Sequence, residues 1–415
     1  MMNAVTSPCG LGVCLLGFTV WCVPLPAFAE ENPAFALESV EKNFQAPPGF
    51  NWMQARVCTI PAKDEGAVPQ VLLTMQLHAI KGSHSYLGIV SALSSDLGKT
   101  WEGPTEQSAL DHRHVRCVIY ETPVDATPQW HARRGRVLLV GTTFFVDHDT
   151  MQELKEAPSD IIYAVYDPEA DQWDPKWAPW KKLKMPRSFS HYYARAGCVQ
   201  FVELSNGDVL LPIYYGEHAN CNYYASVVRC RFDGRTLSYI EHGNTMHLDF
   251  GRGFYEPSLA KCLGRFFLTL RNDKAGYVTV SDDGLHFAEP QLWRFDDGKE
   301  LGNYNTQQHW ITHKGRLYLV YTRRGADNDS VFRHRAPLFM SEVDQSTLRV
   351  MRSTEQIVVP KWGDRSMGNF GVSHITPTES WIVVGAIDHP IMKDLGPNVM
   401  IGRIRWAPRE EQGAS

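Results

Sequence analysis

Ser94-Ser95-Asp96-Leu97-Gly98-Lys99-Thr100-Trp101 is the stretch on which the fold turns. It follows a strand-like run and sets a carboxylate, a glycine and then an aromatic ring at fixed spacing. The Asp side chain can accept hydrogen bonds from turn amides, Gly can adopt positive φ, and the aromatic can pack between sheets. The pattern returns as Ser281-Asp282-Asp283-Gly284-Leu285-His286-Phe287, with Phe in place of Trp, directly after Gly276-Tyr277-Val278-Thr279-Val280. Asp96 and Asp283 are therefore read as turn punctuation, on strand connections and away from any chemistry.

Working outward, a second phrase recurs six times: a turn, usually with Gly, followed by a run of β-branched, Leu or aromatic residues. Its copies are Pro69–Met75, Gly135–Phe144, Gly207–Tyr214, Gly264–Leu270, Gly315–Tyr321 and Ser380–Gly385. Each run is too short for a buried helix and is bounded by turn signals, so each reads as a buried strand. Successive copies begin about 50 to 70 residues apart. That is room for four short strands and their loops, the size of one propeller blade. The expectation is an all-β chain forming one six-bladed β-propeller over residues 45–408, in preference to a generic β-sandwich.

Composition agrees. The 415 residues include 12 Trp, 16 Tyr, 19 Phe, 32 Gly and 25 Pro, a mixture that favours strands joined by tight turns. A net charge of -5 argues against a nucleic-acid-binding surface. Residues 1–29 read as a secretion signal: Leu11 to Val23 is apolar, and Ala27-Phe28-Ala29 is a small-residue cleavage site. Its first segment has no Lys or Arg, leaving only the terminal amine as positive charge. No later run reaches the ~18 apolar residues of a membrane span. The mature protein is expected in the periplasm or outside the cell, as a monomer without a membrane span. Removing the leader takes Cys9, Cys14 and Cys22 with it and leaves six cysteines, whose pairing the sequence does not fix. Their spacings match no zinc site, so no metal and no cofactor is assigned.

The two Asp-box turns on a six-fold β repeat resemble the sialidase superfamily. The segment from Phe254-Tyr255-Glu256-Pro257 to Leu270-Arg271 is similar to the sialidase hairpin in which a Glu begins one strand and an Arg ends the next. The resemblance implies that Glu256 supports a nucleophile and that Arg271 binds a substrate carboxylate. Other family positions differ. The first-strand element reads Arg56-Val57-Cys58-Thr59-Ile60-Pro61, with the Arg displaced from its usual place. Gly371-Val372-Ser373 stands where the family has a nucleophilic Tyr, and Ser83-His84-Ser85-Tyr86 lacks the family's acidic Asp.

The remaining polar residues support other chemistry. Ser190-His191-Tyr192-Tyr193-Ala194-Arg195 precedes one strand phrase, and Tyr214-Tyr215-Gly216-Glu217-His218 ends it. With Tyr255 and Arg271, this set resembles the sites of ulvan lyases and related rhamnosyl-glucuronate-cleaving propellers. There Arg neutralises a uronate carboxylate, which makes the C5 proton acidic enough for a positioned His or Tyr to take. A third polar run holds Asn303 to Trp310, Arg323-Arg324 and Arg333-His334-Arg335. Arg forks recognise carboxylates and aromatic rings stack on sugars, which suits an acidic oligo- or polysaccharide.

The expected catalytic residues are Tyr255, Glu256, His191 and His218. The expected substrate-binding residues are Arg271, Arg323, Arg335, His309 and Arg195. Three activities remain open: a sialidase-like glycosidase, a uronate-specific polysaccharide lyase, and a carbohydrate-binding propeller without catalysis.

Overall fold

The computed structural model describes residues 33–64, 66–80, 85–147, 149–150, 152–154, 157–174, 180–190, 193–388 and 395–407. The expected leader, 1–29, and His191 lie outside the described residues. The strands pair into six antiparallel sheets. The first holds Phe50–Ile60, Gln70–Ala79, Tyr86–Ser94 and Glu102–Glu106. The second is built on Ile119–His131, Arg136–Asp147 and Ile161–Asp167, and the third on Tyr193–Arg195, Asp208–Gly216, Tyr224–Phe232 and Leu237–His242. The fourth holds Tyr255–Cys262, Arg265–Arg271, Gly276–Ser281 and Gln291–Leu292, and the fifth is built on His309–His313, Arg316–Tyr321 and Leu338–Asp344. The sixth takes Phe370–Thr376, Glu379–Gly385 and Pro397–Trp406, and is completed by Phe35–Gln45 from the other end of the chain. This strand starts upstream of residue 45, and its pairing with Pro397–Trp406 fastens the two ends of the described chain together.

All six hydrophobic phrases form the second strand of a sheet. A second strand is paired on both edges and covered on both faces, so it carries a continuous apolar run instead of an alternating one. Alternate residues point to opposite neighbours. Val137 and Leu139 pack toward the first sheet, with Cys58, Leu72 and Ile89, while Leu138 and Val140 pack toward the third, with Val209 and Leu211. Leu210 meets Phe266 and Leu268 of the fourth sheet, Phe267 meets Leu317 and Leu319 of the fifth, and Val320 meets Ile382 of the sixth. Val383 and Ile401 then meet Val57 and Val71 of the first sheet, which closes the ring. Each such fully buried Leu, Ile or Phe is worth roughly 1.5–3 kcal/mol. A cavity of about 370 Å³ on the axis is lined by Val57–Thr59, Thr127–Trp130, Gln200–Val202, Leu259–Lys261, Trp310–Thr312 and Val372–His374. One segment from each sheet thus surrounds a common centre, and the architecture is an all-β propeller.

The two Asp-containing turns do what their chemistry allows. Ser94 Oγ accepts the Gly98 amide at 2.8 Å and Asp96 Oδ1 accepts the Thr100 amide at 2.9 Å. Trp101 then packs 5.5 Å from Phe44 and 6.4 Å from Trp381, joining the first and sixth sheets. Asp283 Oδ1 accepts the amides of Leu285 and His286, and Phe287 is buried between the third and fourth sheets. The six cysteines of the described residues are all unpaired.

Candidate functional site

Three innermost strands share an irregularity. Between Met53 and Arg56, between Val124 and Thr127, and between Tyr255 and Ser258, the ladder register shifts. Gln54, Asp125 and Glu256 occupy these bulges with φ of 55°, 55° and 45°, and Cys198 of the third sheet has φ of 57°. A left-handed backbone at a residue other than Gly costs roughly 1–3 kcal/mol and is characteristic of functional sites. Here it turns Gln54, Asp125 and Glu256 out of their ladders, and Cys198, on a turn of the third sheet, lies against Gln54 and Arg56. Gln54 donates to Asp125, and the Cys198 amide donates to the Asp125 carbonyl at 2.7 Å. Arg56 is buried beside them, donating to the Asn369 carbonyl at 2.9 Å and to Gln54 Oε1 at 3.2 Å. Its place is central, although its sequence position is displaced. A Cβ at position 371 would lie 2.4 Å from Arg56 Cδ, so Gly371 makes the room it occupies.

Against this centre the fourth and fifth sheets set a cluster of arginines. Tyr255 and Arg271 are cross-strand partners, with the guanidinium 4.5 Å over the phenol ring. Arg271 donates to Glu256 and, at 2.8 Å, to Asn305 Oδ1. Arg252 donates to the Tyr255 oxygen and reaches Asp273 Oδ1 at 2.6 Å and Asn305 Oδ1 at 3.1 Å. The Tyr255 hydroxyl donates to Asp273 Oδ1 at 2.8 Å. Arg333 comes to 3.3 Å from Asn305 Oδ1, and Arg335 donates to the Asn305 carbonyl at 2.7 Å and to Thr306 Oγ1 at 3.1 Å. Three guanidinium groups thus converge on one amide oxygen, which has two lone pairs.

Burial disfavours charge on Asp273, but the Arg252 bonds and charge outweigh it and hold its carboxyl at about 2. Burial pushes the Tyr255 hydroxyl up to about 12 despite Arg271 and Arg252. Arg335 falls to about 9, through burial first and then the charges of Arg271 and Arg333. Beside the cluster, Tyr255 packs with Tyr193, Tyr214 and Tyr223.

The expected site residues divide. Tyr255, Glu256, Arg271 and Arg335 are brought together. Arg195 is nearby: it donates to Tyr193, which belongs to the same tyrosine group, and to Ser159 at 3.0 Å. Arg323 is not part of the cluster. Its fork is taken by Glu355, at 2.8 and 2.6 Å, because the fifth sheet places that carboxylate opposite it. His309 is walled into the propeller centre, bonded to Ser258 at 2.8 Å, and burial first and then Arg56 hold its pKa well below the ordinary value. His218 is exposed on a loop, with its ring 3.0 Å from the Ala219 carbonyl.

Arg252, Asp273, Asn305 and Arg333 belong to the cluster but were not among the expected residues. Asn305 and Arg333 stand inside polar runs visible in the sequence. Arg252 and Asp273 lie in ordinary-looking loops, Gly251-Arg252-Gly253 and Asn272-Asp273-Lys274, and carry no sequence signal.

No family model matches the chain, and no curated protein does. Solved structures do. A Dyadobacter fermentans protein, described as of unknown function, superposes with a TM-score of 0.60 at 13% identity, covering 91% of this chain and 100% of that one. The Trypanosoma rangeli sialidase gives 0.56 at 14% identity, over 86% of this chain and 55% of that one. The NanB sialidase of Streptococcus pneumoniae gives 0.60 at 9% identity, over 90% and 71%. The chain therefore spans only about half the length of the Trypanosoma enzyme. At these identities the likeness is one of fold: the chain is an all-β propeller with a sialidase-like fold.

Proposed function

We propose that this protein is a carbohydrate-active enzyme that cleaves glycosidic bonds of acidic glycans, in the manner of a sialidase-type glycosidase. We read its six sheets as six blades. The observation that carries the proposal is the convergence of Arg252, Arg271 and Arg333 on Asn305 Oδ1 beside a buried phenol. Donors outnumber acceptors there, and a substrate carboxylate supplies the oxygens that the site lacks. Sialidase-like neighbours support a glycan as the bearer of that carboxylate.

Tyr255 is the group placed to react. Asp273 accepts the hydrogen bond of its hydroxyl and fixes its direction, and the charges of Arg252 and Arg271 favour the phenolate over the phenol. This Tyr stands on the fourth sheet, while Val372 occupies the position of the family's usual nucleophile. Glu256 balances Arg271 before substrate binds. Arg335 and Arg195 extend the cationic wall. Residues 1–29 act as the export signal, so the enzyme works in the periplasm or outside the cell, and we read it as a monomer.

Elimination at a uronate is the second reading. It is supported by a Tyr255 hydroxyl that burial keeps protonated, able to donate to a leaving oxygen, beside Arg271 and Arg252, which would neutralise the uronate carboxylate. One assay separates the readings: incubation with sialosides and with uronate polysaccharides, followed for new reducing ends and for the absorbance of an unsaturated uronate. Reducing ends without that absorbance support hydrolysis. Both together support elimination, and neither, across the panel, refutes the enzyme.

A further inference from the structure

We infer that the arginine site is built for a glycan presenting two negative charges, on one ring or on adjacent rings, and not for a single carboxylate. The inference rests on the acidic-glycan reading and narrows it.

The argument begins with charge balance. Arg252, Arg271, Arg333 and Arg335 are tied together through Asn305. Their carboxylate partners are Asp273, held by Arg252, and Glu256, held by Arg271. Arg333 and Arg335 have no carboxylate partner among the described residues; their acceptors are an amide oxygen, a backbone carbonyl and a threonine hydroxyl. Four guanidinium groups thus meet two carboxylates. Adding the central Arg56 and Asp125 leaves the excess of two positive charges unchanged. Nearby Arg323 does not alter the balance, because Glu355 neutralises it.

The surplus is costly, and the fold maintains it. Burial and the neighbouring Arg271 lower the pKa of both Arg333 and Arg335. Arg333 and His334 are consecutive left-handed residues, with φ of 54° and 52°. A Cβ at position 368 would lie 2.4 Å from Arg335 Cδ, so Gly368 leaves the space that Arg335 fills. Arg271 Nε, in a side chain more than nine-tenths buried, has no acceptor among the described residues. Strain and uncompensated charge of this kind persist where a ligand relieves them. One carboxylate beside Arg271 would still leave Arg333 and Arg335 short of a counter-charge. A second anionic group, as a sulfate ester or a second uronate, completes the balance.

The test is titration calorimetry on the full chain. The probes are a glucuronate-ended disaccharide, the same disaccharide with one sulfate on the uronate, a di-uronate, and the neutral methyl ester of the first. The doubly charged probes should bind at least about tenfold tighter than the singly charged one, the scale of one added charge-assisted contact. The tighter of the two identifies the source of the second charge. Arg333→Gln should remove most of that preference, whereas Arg271→Gln should weaken every charged probe. Equal binding of singly and doubly charged probes overturns the inference and leaves the acidic-glycan reading standing. Binding of none of the charged probes overturns both. A ligand-free check uses thermal unfolding: Arg333→Gln should melt above the wild-type protein, because it removes an unneutralised charge. A lower melting temperature with unchanged selectivity also refutes the inference.

Discussion

The Tyr255 hydroxyl donates to Asp273 Oδ1 at 2.8 Å, across a turn that separates the two residues by the whole hairpin from Tyr255 to Arg271. The contact links a buried phenol to a carboxylate that Arg252 keeps ionised. It depends on strand register: Tyr255 faces Arg271 in the ladder, and Asp273 lies just beyond the strand end.

Tyr255→Phe keeps the ring against Tyr214 and Tyr223 and deletes only the hydroxyl. Turnover should fall at least about a hundredfold, the scale of a lost proton-transfer group, with substrate affinity nearly unchanged. Steady-state kinetics together with direct binding checks this. Full activity would remove Tyr255 from the chemistry.

Arg271→Lys preserves charge and loses the planar fork that spans Glu256 and Asn305. The expected loss in kcat/KM corresponds to about 1.5–3 kcal/mol, the value of a hydrogen bond to a charged group. A change much below that would place the substrate carboxylate elsewhere.

Stability should depend on pH through His309. Burial and Arg56 hold its folded-state pKa well below the ordinary value. As pH falls below about 6.5, the unfolded chain therefore takes up a proton that the folded chain refuses, and stability drops with a slope of up to about 1.4 kcal/mol per pH unit. Chemical denaturation at a series of pH values should reveal this slope, and His309→Gln should reduce it by about one proton's share, leaving the part that comes from His313 and His374, whose pKa values burial also lowers.

Gly243→Ala tests the seam between the third and fourth sheets. A Cβ there would lie 1.7 Å from the Leu285 carbonyl oxygen, a backbone atom that cannot turn aside. Overpacking of this kind costs roughly 1–3 kcal/mol. The melting temperature should fall, while activity per folded molecule remains, since Gly243 touches none of the arginine cluster.

Much of the fold is legible in the sequence because second strands are covered on both faces. Val209-Leu210-Leu211 and Val137-Leu138-Leu139-Val140 must be apolar throughout, and they read that way. The innermost strands are harder to see. Their residues face the axis, where Gln54, Arg56, Asp125 and Cys198 satisfy one another, so no periodic apolar pattern marks them. Phe35–Gln45 gives little local sign that its partner lies at the far end of the chain.

By itself, the sequence determined the strand repeat, the two Asp-centred turns and the hairpin that sets Tyr255 and Glu256 opposite Arg271. These depend on local spacing: turn chemistry at fixed offsets and strand alternation. Only the tertiary structure decided which arginines work together. Arg252 and Asp273 flank the fourth sheet, while Asn305, Arg333 and Arg335 come from loops of the fifth. It also decided that Arg323 belongs to Glu355 and that His309 is sealed in the wall. An exposed and a buried arginine have the same letter in the sequence. Their difference lies in the packing of neighbouring sheets, which sets what each guanidinium can reach.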